Sequence, residues 1–324
     1  MNYRKLGASG LVVSEIGFGA WAIGGFMWGG PRDAESREAL ARAVDLGVNF
    51  IDTALAYGSG HSENLVGEYV RSRRDKTIHV ATKVPPKTMR WPAGKNARLA
   101  DVFPSDYLRT CCESSLKNLG LEQIDLLQLH VWEDAWTGQD EWYQTMADLK
   151  AEGKIRLIGV SINDHDPASA VRLVRSGRVD AVQVIYNVFD QSPEDALFAA
   201  CVEHGVGVLA RVPLDEGSLS GKLRADTKFP EGDFRNQYFS GGLLGETVRR
   251  VEAVRPTLVE ESGAPSMARA ALRFCLSHPA VSTVIPGIRT TLQAEENVAA
   301  SKDGPLPEAV RGKLRAHRWL RNTR

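Results

Sequence analysis

Short runs of apolar, often β-branched residues recur along this chain, each followed by a Pro-, Ser- or Asp-rich turn and then a segment of helical periodicity. Eight runs read as strands: EIGFGA (Glu15–Ala20), NFIDT (Asn49–Thr53), IHVATK (Ile78–Lys83), IDLLQLH (Ile124–His130), IRLIGVS (Ile155–Ser161), AVQVIYN (Ala181–Asn187), GVGVLAR (Gly205–Arg211) and VSTVIP (Val281–Pro286). Between them, apolar residues recur three and four apart, which gathers them on one helix face. In Pro104–Gly120, Leu108, Cys111, Cys112, Ser115, Leu116 and Leu119 share such a face, and Gly120 ends the segment. Strands apolar on both faces and separated by helices pair in parallel through βαβ crossovers. Eight units predict an α/β fold, a (β/α)8 TIM barrel forming one domain over residues 1–324. An open doubly wound sheet is disfavoured because no GxGxxG follows the first strand.

Ahead of the barrel, YRKLGASGLVVSEIG alternates apolar and polar residues about Ser9-Gly10, the pattern of an N-terminal β-hairpin capping one barrel end. Two stretches without a period, 90–103 and 214–242, predict long loops on the rim.

Composition narrows the function classes. The chain has 324 residues, 43% hydrophobic and 25% charged, with a formal net charge of zero. No long-range field favours nucleic acid or an anionic membrane. The basic clusters Arg71–Lys76 and RGKLRAHRWLRNTR from Arg311 read as solvated helix faces. No run has the length of a membrane helix or a signal peptide, so a cytoplasmic protein is expected. Cys111, Cys112, Cys201 and Cys275 have no metal-type spacing, and the seven histidines form neither HxH nor HExxH, so no metal is expected.

Polar residues at the strand ends then gain weight, because in a parallel barrel all those ends form one rim. Asp52 ends the second strand, Lys83 the third, His130 the fourth and Ser161 the fifth, while Gln183 lies in the sixth. A buried carboxylate needs a partner, and Lys83, on the neighbouring strand, supplies one for Asp52. Tyr57, five residues past Asp52, reaches the same point. A cation beside a phenol stabilises the phenolate and draws its pKa down from about 10. Such a tyrosine serves as proton donor to a developing alkoxide, and His130 as a hydrogen-bond donor orienting the same oxygen. This is equipment for carbonyl reduction by hydride.

The motifs "GVNFIDTALAYGSGHSENLVG", "TKV", "LLQLH", "GKIRLIGVS", "VQVIYN" and "VIPGIRTTLQAEENV" together resemble the aldo-keto reductases over nearly the whole chain. The resemblance places that family's tetrad on Asp52, Tyr57, Lys83 and His130. It implies NADPH as cofactor, NAD being disfavoured, and an aldehyde or ketone as substrate. Ser161 and Gln183 would meet the nicotinamide carboxamide, with Trp21 beside the ring and ribose. Gly287, Arg289, Gln293, Glu296 and Asn297 would hold the adenosine end, Arg289 pairing the 2′-phosphate. Leu214, Asp215, Ser218 and Leu219 match a loop that covers the pyrophosphate. Trp28 and Trp132, on rim loops, are expected in the substrate pocket.

Two positions depart from the family pattern. Asn163 stands one residue beyond the place of the usual Ser-Asn pair. Arg211 occupies the position of a tyrosine that stacks under the nicotinamide, which would disfavour the cationic, oxidised cofactor. Two rival functions remain open. One is an NADPH-binding regulatory subunit with slow or vestigial turnover, as in channel-associated members of the family. The other is a barrel enzyme forming a Schiff base on Lys83.

Overall fold

The computed structural model describes residues 1–94 and 96–321. The barrel is an eight-stranded parallel sheet made of β3 (Phe18–Gly19), β4 (Phe50–Asp52), β5 (His79–Val84), β6 (Ile124–Leu129), β7 (Ile155–Ser161), β8 (Ala181–Ile185), β9 (Gly207–Arg211) and β10 (Val281–Val284), neighbours in sequence order. The first strand is shorter than the apolar run Glu15–Ala20 predicted, since only Phe18 and Gly19 pair with β4. Its remaining main-chain groups close the ring instead. Gly17 N donates to Val284 O (2.8 Å), Val284 N to Glu15 O (2.8 Å) and Gly19 N to Pro286 O (3.0 Å). That approach requires glycine at position 19, where a Cβ would lie 2.7 Å from the Pro286 carbonyl oxygen.

Helices surround the sheet: α1 (Asp33–Asp45), α2 (His61–Ser72), α3 (Ser105–Leu119), α4 (Glu141–Ala151), α5 (Val171–Arg175), α6 (Leu197–His204), α7 (Leu243–Arg255), α8 (Met267–Leu276), α9 (Thr291–Lys302) and α10 (Glu308–Leu314). The predicted face of α3 is the buried one, apart from Leu116 at its edge, and Gly120 ends the helix in the left-handed conformation. Buried Glu63 of α2 accepts from Thr82 of β5 (2.6 Å) and Asn118 of α3 (2.8 Å), fixing the strand that carries Lys83. The long loops are less irregular than their sequences suggested, holding helical turns at Leu99–Val102, Asp215–Ser220 and Arg235–Tyr238.

The hairpin is present, β1 (Tyr3–Lys5) pairing antiparallel with β2 (Val12–Ser14). Its Leu6, Leu11 and Val13 plug the bottom of the barrel against Phe50, Ala81, Leu126, Leu157, Ala181 and Leu209. Among the described residues no helix is long and apolar enough to cross a membrane.

Candidate active site

The apolar layer that meets the plug locates the site above it. Side chains two apart on a strand share a face. Two residues beyond Phe50, Ala81, Leu126, Ala181 and Leu209 come Asp52, Lys83, Gln128, Gln183 and Arg211. The register sets Asp52 beside Ala81, Lys83 beside Gln128 and Ser161 beside Gln183. A polar layer therefore rests directly on an apolar one inside the barrel.

Lys83 Nζ donates to Asp52 Oδ2 (2.6 Å), to the Thr53 carbonyl (2.8 Å) and to the Tyr57 hydroxyl (3.3 Å). The other Asp52 oxygen accepts from Gln183 Nε2 (2.7 Å) and Gln128 Nε2 (3.3 Å). Removing two charges from water costs several kcal/mol each, and this set of donors offsets that cost. Burial pulls the Lys83 pKa down, but Asp52 and Tyr57 outweigh it and leave it raised, so the ammonium is charged. His130 lies edge-on to Tyr57, ring centroids 5.7 Å apart, with Nδ1 buried and unpaired. Burial and the positive charges of Lys83 and Arg211 hold its pKa well below the ordinary histidine value, so the ring is neutral.

Tyr57 corrects an expectation. Its pKa is raised, because burial outweighs the pull of Lys83 and the Asp52 carboxylate cancels part of that pull. The cation does not produce a resting phenolate; it stands ready to stabilise one formed when the proton leaves.

Aromatic rings wall the opening. Trp21 lies 6.2 Å from the Tyr57 ring and 5.2 Å from Trp28, while Trp91, 45% exposed, is edge-on to His130 at 5.7 Å. Trp132 is not part of this wall. It is fully buried against Trp136 and Trp142, because the loop after β6 folds inward onto α4.

The residues expected at the cofactor fall into two groups on the same rim. Ser161 is buried at the end of β7, and Gln183 spends its amide nitrogen on Asp52. Asn163 is committed elsewhere, its amide donating to the Trp132 carbonyl (2.7 Å) and Glu133 (3.0 Å). Arg211 donates to the Ile162 carbonyl (2.9 Å) and Asp164 (2.6 Å), so its charge is paired by a carboxylate the motifs did not reveal. Beyond β9, Leu214 accepts from the buried Leu219 N (3.1 Å), and Ser218 donates to Asp215.

Beyond β10, the neighbour of β9, exposed Gly287 pairs with Gly19 and leads into α9, capped by Thr290. Arg289 donates to the Trp28 carbonyl (3.1 Å), while Gln293 accepts the Arg289 amide (2.8 Å). Burial and the like charges of Arg32 and Arg235 lower the Arg289 pKa. Glu296 is half-buried on α9; Asn297 is buried with its amide nitrogen unpaired.

Gln128 and Asp164 were missed. For Gln128 the signal existed, since it precedes His130 by two residues on one strand face. Another reading fails at the C-terminus: Arg311 and Lys313 are surface ion pairs, but Arg321 is buried. The cluster's last three residues lie outside the described residues.

Residues 15–318 match the model of the Aldo/keto reductase family. An NADH-specific methylglyoxal reductase of Escherichia coli is 28% identical over 311 residues, covering 93% of each chain. A probable voltage-gated potassium channel subunit beta of Oryza sativa is 31% identical over 328 residues, covering 96% of this chain and 94% of its own. The holo form of aldo-keto reductase AKR11C1 from Bacillus halodurans superposes with a TM-score of 0.77 at 28% identity, covering 99% of this chain and 97% of that one. With its barrel, its motifs and a family match over nearly its full length, the chain belongs to the aldo/keto reductase family of oxidoreductases.

Proposed function

We propose that this protein reduces an aldehyde or ketone with NADPH, and oxidises the alcohol in reverse, with Tyr57 as the proton donor. The observation that carries the reading is the half-buried Tyr57, its hydroxyl 3.3 Å from a lysine locked between Asp52 and the Thr53 carbonyl. When bound, the nicotinamide nucleotide supplies the hydride.

The chain's own residues do the rest. Tyr57 keeps its proton at neutral pH and gives it to the carbonyl oxygen as negative charge develops there. Lys83 stabilises the phenolate left behind, and Asp52, held by Gln128 and Gln183, keeps Lys83 charged and aimed. Neutral His130 donates a hydrogen bond to the same oxygen, fixing the carbonyl's orientation. Trp21, Trp28 and Trp91 offer apolar walls to the rest of the substrate.

The residues present fit the nucleotide. The unpaired amide nitrogen of buried Asn297 suits an adenine acceptor. Arg289, its pKa lowered partly by two neighbouring arginines, suits an anionic group such as a 2′-phosphate. Ser161 and the free oxygen of the Gln183 amide suit the carboxamide; Gly287, Gln293 and Glu296 border the adenosine end, and Leu214, Asp215, Ser218 and Leu219 the pyrophosphate. Arg289 supports NADPH over NADH, although the E. coli relative's name specifies NADH.

The test follows absorbance at about 340 nm with NADPH or NADH and a panel of aldehydes and ketones. Wild type turns over, and Tyr57→Phe loses about a hundred- to ten-thousand-fold in kcat/KM. Tight binding of NADPH with no turnover of any carbonyl would instead support the regulatory reading, which the channel-subunit relative also favours.

A further inference from the structure

The C-terminal segment beyond α10 takes a defined path over the rim. The Leu314 carbonyl accepts from Gln191 (2.9 Å), Arg318 forms two bonds to Asp195 (2.7 and 2.8 Å), and Trp319 N donates to the Phe189 carbonyl (2.8 Å). Arg321 then turns inward, its side chain 2% exposed. One end of the guanidinium donates to Asp215, the other to the Tyr238 hydroxyl (2.7 Å). Its carbon lies 4.6 Å from the ring centre of Trp319 and 5.5 Å from that of Tyr238. One side chain thus joins the first turn of the loop after β9 (Asp215–Ser220) to its later turn (Arg235–Tyr238). Arg321 lies beyond the last residue matched by the family model, which ends at 318.

We infer that Arg321 is a positioning residue for the cofactor, acting through Asp215 to hold the loop after β9 in the shape that covers a bound nicotinamide nucleotide. The inference rests on the nucleotide-binding reading above.

Two features of that loop need such a brace. Val212 and Glu216 have positive φ (53° and 54°), a conformation that residues other than glycine, asparagine and aspartate keep only when surrounding contacts enforce it, and Asp215 shares it (49°). Carboxyl groups also gather against that loop. Asp164, Asp215 and Glu216 line one small cavity together with Arg321, His165 and Tyr238. Burial and the neighbouring Asp215 and Asp164 push the Glu216 pKa up to about 8, while Arg211 and Arg321 oppose the rise. Asp164 is served by Arg211. The cation bonded to Asp215 is Arg321, supported by the Ser218 hydroxyl. Without Arg321, the buried Asp215 carboxylate loses its charge partner, and the cost of an unpaired buried charge drives the turn toward solvent.

The experiment measures NADPH release by stopped-flow fluorescence from the full chain, as wild type, Arg321→Met, Arg321→Lys, Asp215→Asn and the Arg321→Met/Asp215→Asn double variant. Thermal melting is recorded for each. NADPH is expected to leave Arg321→Met about tenfold faster than wild type. Arg321→Lys, which keeps the charge but not the fork, falls between. Asp215→Asn also releases faster, and the double variant releases no faster than the faster single one, because both act through one contact. Should Arg321→Met fail to fold, Arg321→Lys against wild type decides. A lowered melting temperature with wild-type release rates overturns the inference and leaves Arg321 a staple of the fold. Failure of wild type to bind NADPH or NADH overturns the nucleotide reading itself, a distinguishable result.

Discussion

The carboxylate of Asp52 lies 2.6 Å from the ammonium of Lys83, both side chains sealed inside the barrel, and the Tyr57 hydroxyl rests on the same nitrogen at 3.3 Å. On the proposed reading, stability and chemistry share one ion pair. Lys83→Met leaves Asp52 charged, buried and without its cation, and is expected to cost about 3–5 kcal/mol of stability. Lys83→Met with Asp52→Asn removes both charges and should recover much of that loss. Urea unfolding at neutral pH checks this. A Lys83→Met cost below about 1 kcal/mol, the range of exposed pairs, would show that the pair is not sealed.

The pH profile of reduction follows from two directions of shift. Burial raises the Tyr57 pKa, so the proton needed for reduction is present throughout the neutral range and is lost only in strong alkali. The pKa of His130 lies well below its ordinary value, so the ring does not gain charge near neutrality. We expect kcat/KM for reduction to stay level from about pH 6 to 9 and to decline only above about 10. Alcohol oxidation, which needs the phenolate, should rise with pH over that range. A break in the reductive profile near about 6.5 would mean that His130 titrates as an exposed histidine does.

Arg289→Ala should raise the KM for NADPH about tenfold or more, since the proposed charge-assisted contact to the 2′-phosphate would be lost. The KM for NADH should stay within about twofold, because that nucleotide has no such phosphate. Equal changes for both nucleotides would show that Arg289 acts through its bond to the Trp28 carbonyl instead.

The Arg211–Asp164 pair bears on cofactor oxidation state. On the reading that sets Arg211 beneath the nicotinamide, its positive charge there is partly offset by the exposed Asp164 carboxylate at 2.6 Å. Asp164→Asn exposes the charge and should weaken NADP⁺ relative to NADPH by about three- to tenfold. Dissociation constants for both forms in wild type and variant measure it; an unchanged ratio would place the guanidinium away from the ring.

Much of the barrel was legible because parallel βα units leave a local record: an apolar run, a turn, a one-faced helix. The cluster of Asp52, Lys83, Tyr57 and His130 was legible for a related reason: Asp52, Lys83 and His130 end successive runs, so their side chains converge on one rim. What stayed hidden depended on distance in sequence. Nothing around Asp164 announces Arg211, 47 residues on. The burial of Arg321 depends on Asp215, 106 residues earlier. Tyr57 was misjudged for a third reason: the motif names its neighbours, but the sign of its shift depends on how completely the fold excludes water. Trp132 was assigned to the mouth because its loop was, and only packing shows that loop folding inward.

The hairpin plug has a consequence for proton traffic. Leu6, Leu11 and Val13 and the apolar layer above them leave the Asp52–Lys83 pair standing on a dry floor. With Tyr57 as the acid proposed above, its proton would have to return from the mouth, the side by which substrate and nucleotide would also come and go. On that reading the barrel is a vessel closed at its hairpin end, and whatever occupies the mouth sets when the acid is reset.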